Sequence, residues 1–270
     1  MKRRLFIGLC AALAVPAPAL AVTAWEDISS QLYGDRPLIP AGDHIALDAP
    51  YRTDNDARTV IGARIDGPDG RLIDKVTLVL DENPMPVSAV LDFARPLPRV
   101  LFELTLRING PTPLHVIAET TDGTLYVAEG FVKTSGQGAC AAPPGTNPDD
   151  ALATLGEMTI DLSPLSGSEL AARLGALSQA EGRLDVGISH PSLSGLQKDQ
   201  VTLLFIPMRY VETLEIDLDG QPYVDITGSI SLAENPRIGI GAPSSTRRAD
   251  VTMTDTDGTV THAGRSFPGY

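Results

Sequence analysis

The chain has 270 residues and a net charge of −13, with 43% of its residues hydrophobic, which is material enough for buried cores. That acidic balance argues against nucleic acid and anionic membrane surfaces as partners and favours solubility or a basic partner. One of its two cysteines falls in a removable leader, so an intramolecular disulfide is excluded in the mature chain.

The leader is read from Met1-Lys2-Arg3-Arg4, a basic start, followed by the apolar run Leu5 to Val15 and the small-x-small pattern Ala19-Leu20-Ala21. Residues 1–21 are therefore expected to be a signal peptide, with Cys10 discarded and the mature chain beginning at Val22. Arg3-Arg4-Leu5-Phe6-Ile7 resembles a twin-arginine signal, and the ordinary secretory route fits as well; both end outside the cytoplasm. No later stretch approaches the ~20 apolar residues that a membrane span needs. About 250 residues remain, which fits two ordinary domains.

Trp25, Ile28 and Leu32 share one face of a short amphipathic helix ending near Gly34. From Ile45 the pattern changes to short apolar or alternating runs cut by Gly, Pro, Asp and Asn, which predicts strands. They fall near Ile45–Leu47, Thr59–Asp66, Leu72–Leu80, Ser88–Phe93, Arg99–Ile108, Leu114–Thr120 and Leu125–Thr134. Asp122-Gly123 marks a hairpin turn between the last two. Asn147-Pro148-Asp149-Asp150 reads as a helix start that Gly156 would end. Met158–Leu162 reads as a strand and Glu169 to Ala180, with Leu170, Leu174 and Leu177 on one face, as a connecting helix. Strands resume at Arg183–Ile188, Val201–Ile206, Val211–Asp217, Tyr223–Leu232, Asp250–Asp255 and Thr259–Arg265, with Asp257-Gly258 as a second hairpin turn. The halves echo each other: Glu82-Asn83-Pro84 then Asp122-Gly123 in the first, Glu234-Asn235-Pro236 then Asp257-Gly258 in the second. The expectation is an all-β chain of two tandem immunoglobulin-like β-sandwich domains, with a short N-terminal helix and a partly helical connector.

The remaining cysteine, Cys140, stands in a run of small residues, with Gly136, Gly138 and Ala139 before it and Ala141 and Ala142 after it, leading into Pro143-Pro144. A buried structural cysteine is surrounded by bulky apolar residues, and this one is not. Glycines at that spacing suit a flexible arm presenting a thiol. A free thiol in an exposed loop or interdomain hinge, or a thiol paired between chains, fits the same residues. Lys133 is the nearest preceding basic residue, so local sequence supplies no strong reason for a lowered thiol pKa.

Other chemistry is not signalled. His44, His115, His190 and His262 are scattered without ligand spacing, so no metal site is expected. There is no phosphate-binding glycine loop, nucleophile elbow or dinucleotide fingerprint, and the chain does not read as an enzyme or as a cofactor protein. His190-Pro191 to Asp199 reads as a loop in which His190 forms a local hydrogen bond, and Asp54 and Asp56 read as solvated loop charges.

Several motifs together resemble the SoxY and SoxZ proteins of bacterial sulfur oxidation, joined in that order. On the first side these are Asp81-Glu82-Asn83-Pro84, Leu104-Thr105-Leu106-Arg107, Thr121-Asp122-Gly123 and Phe131-Val132-Lys133 leading to Gly138-Ala139-Cys140. On the second they are His190-Pro191, Gly195-Leu196, Lys198-Asp199, Ile206-Pro207, Glu234-Asn235-Pro236 and Asp257-Gly258. The chain is most similar to fused SoxYZ-like carriers associated with pyrroloquinoline-quinone (PQQ)-dependent alcohol dehydrogenases. The resemblance implies a SoxY-like sandwich over residues 22–144, a connector over 145–182 and a SoxZ-like sandwich over 183–270. It also implies a periplasmic protein, an intramolecular Y/Z interface, and Cys140 as the point where a sulfur intermediate is attached. Partners would be periplasmic redox or sulfur-processing enzymes, a PQQ-dependent dehydrogenase system among them. The alternative is a non-catalytic accessory protein of that quinoprotein system, with Cys140 incidental or used for interchain pairing. SoxY proteins end in Gly-Gly-Cys-Gly-Gly, whereas Cys140 here sits between alanines with a whole domain after it.

Overall fold

The computed structural model describes residues 24–136, 139, 152–164, 181–198 and 202–268. The leader, the helix start at Asn147, the connecting helix at Glu169–Ala180, and Cys140 with Gly138, Ala141 and Ala142 lie outside the described residues.

Alternation dictates most strands. In β10 (Glu181–Ile188) and β14 (Arg248–Asp255) every second residue is buried, as expected for strands with one face on a core. β4 (Ile73–Leu80) instead carries a continuous apolar end, because both of its faces are covered. Val76, Leu78 and Leu80 point into the sandwich, while Val79 joins Ile117, Leu125 and Val127 in a second cluster on the outer face. The N-terminal helix α1 (Ala24–Tyr33) covers that cluster with Trp25, Ile28 and Tyr33. Leu32, expected on the packing face, is exposed, and Tyr33 takes that place. Gly34, at φ 62°, ends the helix in the left-handed region.

The other strands are β1 (Leu38–Pro40), β2 (Ile45–Asp48), β3 (Thr59–Asp66), β5 (Val87–Leu97), β6 (Arg99–Leu106), β7 (Thr112–Thr120) and β8 (Leu125–Val132) in the first half. The second half has β9 (Met158–Pro164), β11 (Val211–Leu218), β12 (Gln221–Gly228), β13 (Arg237–Pro243) and β15 (Val260–Ser266). They form two sheets, ordered β1-β8-β7-β4-β5-β12-β11-β14-β15 and β2-β3-β6-β13-β10-β9. Read outward from the middle, β5, β4, β7, β8 mirror β12, β11, β14, β15, and β6, β3, β2 mirror β13, β10, β9. Each half is thus a four-plus-three immunoglobulin-like sandwich, related to the other by a pseudo-two-fold axis.

Both sheets run through the boundary. β5 pairs antiparallel with β12 from Ala89↔Gly228 to Phe93↔Val224, and β6 with β13 at Phe102↔Ile240 and Leu104↔Ile238. One hydrophobic core therefore extends from Ile61 and Phe102 to Leu184 and Val251.

Three expectations need correction. Val201–Ile206 forms no strand among its described residues: Leu203 has φ 59°, Phe205 makes only an isolated bridge to Lys198, and Leu203 and Phe205 are 72% and 63% exposed. Conversely, β13 was hidden by Gly239 and Gly241, which read as turn formers although Ile238, Ile240 and Ala242 alternate into the core. The predicted strand to Leu232 stops at Gly228, because Ser229 to Leu232 turns back, with the Leu232 amide donating to the Ser229 carbonyl. The Asp-Gly turns are equivalent in the two halves, joining β7 to β8 and β14 to β15, with Gly123 and Gly258 at φ 79° and 82°. The Asn-Pro echo is not a structural repeat: Asn83 follows β4, whereas Asn235 precedes β13.

Candidate functional site

The stretch leading to Cys140 leaves the sheet where β8 ends. The β7–β8 ladder stops at Thr112↔Val132, and beyond it the chain runs beside the loop from Tyr51 to Ala57. The Lys133 amide donates to the Tyr51 carbonyl at 2.7 Å, and the Thr53 amide to the Lys133 carbonyl at 2.9 Å. Arg52 Nη1 donates to the Thr134 carbonyl at 3.0 Å. The next two amides, of Ser135 and Gly136, donate to Oδ1 and Oδ2 of Asp56 at 2.6 and 3.2 Å. Lys133 Nζ lies 4.9 Å from the centre of the Tyr51 ring.

The loop is shaped by its own short polar side chains. Thr53 Oγ1 accepts from the Asn55 amide at 3.1 Å, Asn55 Oδ1 from the Ala57 amide at 3.1 Å, and the Thr59 hydroxyl ties both ends together. The Ile108 amide donates to the Asp56 carbonyl at 2.8 Å, fixing the loop to the sandwich. Asp54 is exposed as expected, but Asp56 is only 2% exposed, which corrects its reading as a solvated charge. Two backbone amides replace the water that a loop carboxylate would otherwise hold. Asp56 and Arg52 were missed because Thr53-Asp54-Asn55-Asp56 reads as a run of turn formers, and nothing local marks which acid turns inward.

Of the residues expected in the arm, Gly136 and Ala139 are described. Gly136 is exposed at φ 95°, with open space where a Cβ would stand, and Ala139 is 1% exposed. The histidines do not converge on this place. His115 is buried against Asp81, with Nδ1 3.0 Å from Oδ1, under the stacked ring of Trp25. His190 is buried in the second half, 3.4 Å from Asp255, and burial pushes its pKa below 6.5. Burial alone would raise Asp255, but Arg209 at 2.7 Å and the Thr259 amide hold it below the ordinary carboxylate range. Among the described residues no three His, Cys, Asp or Glu side chains are grouped to hold a metal.

Several motif residues build the seam between the halves instead. Asn83 Nδ2 donates to the Arg107 carbonyl and to Ser231 Oγ, both at 2.9 Å. The buried Arg107 guanidinium crosses to the carbonyls of Ser192, Ile230 and Leu232. On the other side Asn235 Oδ1 accepts from the His190 amide at 2.9 Å, and Arg58 holds the carbonyls of Glu234 and Asn235.

Comparison with known proteins gives two family matches. The model of the sulfur oxidation protein SoxY matches residues 29–140, ending on Cys140, and that of the sulphur oxidation protein SoxZ matches residues 176–265. No curated protein matches the chain in sequence. Among solved structures, the sulfur carrier protein SoxY from Chlorobium limicola f thiosulfatophilum is 22% identical with a TM-score of 0.34, covering 41% of this chain and 90% of that one. A superoxide reductase (neelaredoxin) from Ignicoccus hospitalis is 17% identical with a TM-score of 0.28, covering 34% of this chain and 80% of that one. Those scores report similarity alone, and the two family matches carry the assignment. The chain belongs to the sulfur oxidation protein families SoxY and SoxZ, as a SoxY domain followed by a SoxZ domain, a fused SoxYZ-like arrangement.

Proposed function

We propose that this protein is a periplasmic covalent carrier that holds a sulfur-containing intermediate on Cys140 and presents it to successive partner enzymes. The observation that carries the reading is that the SoxY match ends on Cys140, the one cysteine left in the expected mature chain. The neighbouring geometry supports it: the chain departs from β8 into a stretch of small residues whose start is gripped by Asp56 and Arg52.

A thiolate takes up such cargo in two ways. It can displace a thiol from a disulfide or polysulfide, or it can be conjugated oxidatively, a partner enzyme accepting two electrons as the S–S bond forms. The carrier itself needs no catalytic group for either. Its partners are proposed to be periplasmic sulfur-processing or redox enzymes, a PQQ-dependent dehydrogenase system among them. Joining the two halves in one chain makes their pairing independent of concentration.

The test is the intact mass of protein purified from the periplasm without reductant, before and after reduction, beside Cys140→Ala. The expected result is a reducible increment matching sulfur, thiosulfate or an organic thiol, present in the native chain and absent from the variant. A bare thiol in cells using the pathway would instead favour an accessory protein of the quinoprotein system.

A further inference from the structure

We propose that Asp56 is the positioning residue of the carrier arm: its buried carboxylate grips the amides of Ser135 and Gly136, and so sets the point from which Cys140 is presented. The inference rests on the carrier reading of Cys140 and deepens it.

Three observations converge. The two carboxylate oxygens take one amide each, from successive residues, and an ionised acceptor holds an N–H more firmly than a neutral one. The carboxylate is itself held in place, since the Asp56 carbonyl accepts the Ile108 amide and Thr53, Asn55 and Thr59 lock the turn around it. Arg52, from the same loop, takes the preceding carbonyl of Thr134. A cation on an acceptor and an anion on two donors grip three consecutive residues, 134–136, just past the last rung of the β7–β8 ladder. Gly136, at φ 95°, holds a conformation that side-chain-bearing residues rarely adopt.

The consequence is a defined start for the last stretch to the cysteine, in which Ala139 is itself buried. Cys140 lies four residues beyond Gly136, so its Cα stays within about 14 Å of the anchored glycine. A partner that docks on the body therefore finds the thiol in a defined region, and its reacting centre must lie within that reach. Removing the carboxylate leaves the Arg52 bond to Thr134, six residues before Cys140, as the nearest of these three contacts, and the upper bound on that distance grows from about 14 to about 21 Å. With effective concentration falling as the −3/2 power of tether length, six residues in place of four lower the concentration of cargo at the partner's centre about twofold.

The experiment uses the full chain as Asp56→Ala, with Asp56→Asn as the milder variant that keeps one acceptor oxygen. Amide hydrogen exchange at Ser135 and Gly136 is followed against the core amide of Leu104, and the fraction of Cys140 carrying a reducible adduct is measured by intact mass from cells. In Asp56→Ala, exchange at the two root amides is expected to accelerate about 10- to 100-fold with Leu104 unchanged. The loaded fraction should fall about twofold, with Asp56→Asn in between. Root amides as protected as in the native chain overturn the anchor. Accelerated exchange with an undiminished adduct overturns the positioning role. A native chain with no adduct overturns the carrier reading, and the positioning role with it, while the exchange result still decides whether Asp56 is an anchor.

Discussion

Ser192 donates its backbone N–H to His190 Nδ1 at 2.9 Å, so the imidazole proton sits on Nε2, toward Asp255. Burial keeps that ring neutral by pushing its pKa below 6.5, the value it regains on unfolding. The unfolded chain therefore binds the extra proton first as pH falls. His190 contributes its full stability above pH 6.5 and loses it as the pH drops from 6.5 toward the lowered folded value. Urea midpoints at pH 7.5 and 5.5 should show the native chain losing more stability on acidification than His190→Gln. Arg107 is the residue to change at the seam. The residue is 4% exposed and its guanidinium serves carbonyls of the opposite half. Arg107→Met should cost about 3 kcal/mol in denaturant unfolding, because it strands those acceptors. A local hydrogen bond for His190 was legible in His190-Pro191 and its loop residues. The inward turn of Asp56 was not, because its partners are 79 and 80 residues away in sequence.

At the scale of elements, β13 shows why glycine misleads. Gly239 faces Arg183 of β10, and a Cβ there would stand 2.6 Å from Arg183 Nη2. The missing side chain lets that guanidinium lie flat and reach Glu103 on β6, across the boundary, with bonds of 2.9 and 2.6 Å. Gly239→Ala should therefore destabilise by about 1–3 kcal/mol, through displacement of Arg183. In a double-mutant cycle with Arg183→Ala the two costs should be clearly less than additive, since the second change removes the clash. Full additivity in chemical denaturation would sink this account. β3 was legible to the residue over Thr59–Asp66, with Ile61, Ala63 and Ile65 set two apart into the core. The apolar run at Val201–Ile206 was over-read: Pro207 follows it, and Leu203 takes a left-handed backbone.

For the whole molecule, the decisive feature is that the two halves share both sheets. The β5–β12 and β6–β13 ladders, the continuous core and the Arg107 and Asn83 crossings hold the halves without help from the peptide that joins them. A protease site introduced between residues 141 and 151, ahead of β9, should, once cut, leave both pieces eluting together in size exclusion at micromolar concentration. Separation of the pieces on dilution would mean that the chain connection is what holds them. The sequence by itself determined that this is a β-rich chain, where most strands and the Asp-Gly turns fall, and which families its motifs resemble. These are local properties: side-chain period, turn chemistry and short motifs are written within a few neighbouring residues. Only the tertiary structure decided that two sandwiches merge across β5–β12 and β6–β13, that family motifs such as Asn83 and Arg107 serve the seam, and that Asp56 holds the amides of Ser135 and Gly136. Each of those depends on backbone groups meeting across long sequence separations, and partner choice of that kind leaves no periodic trace in the chain.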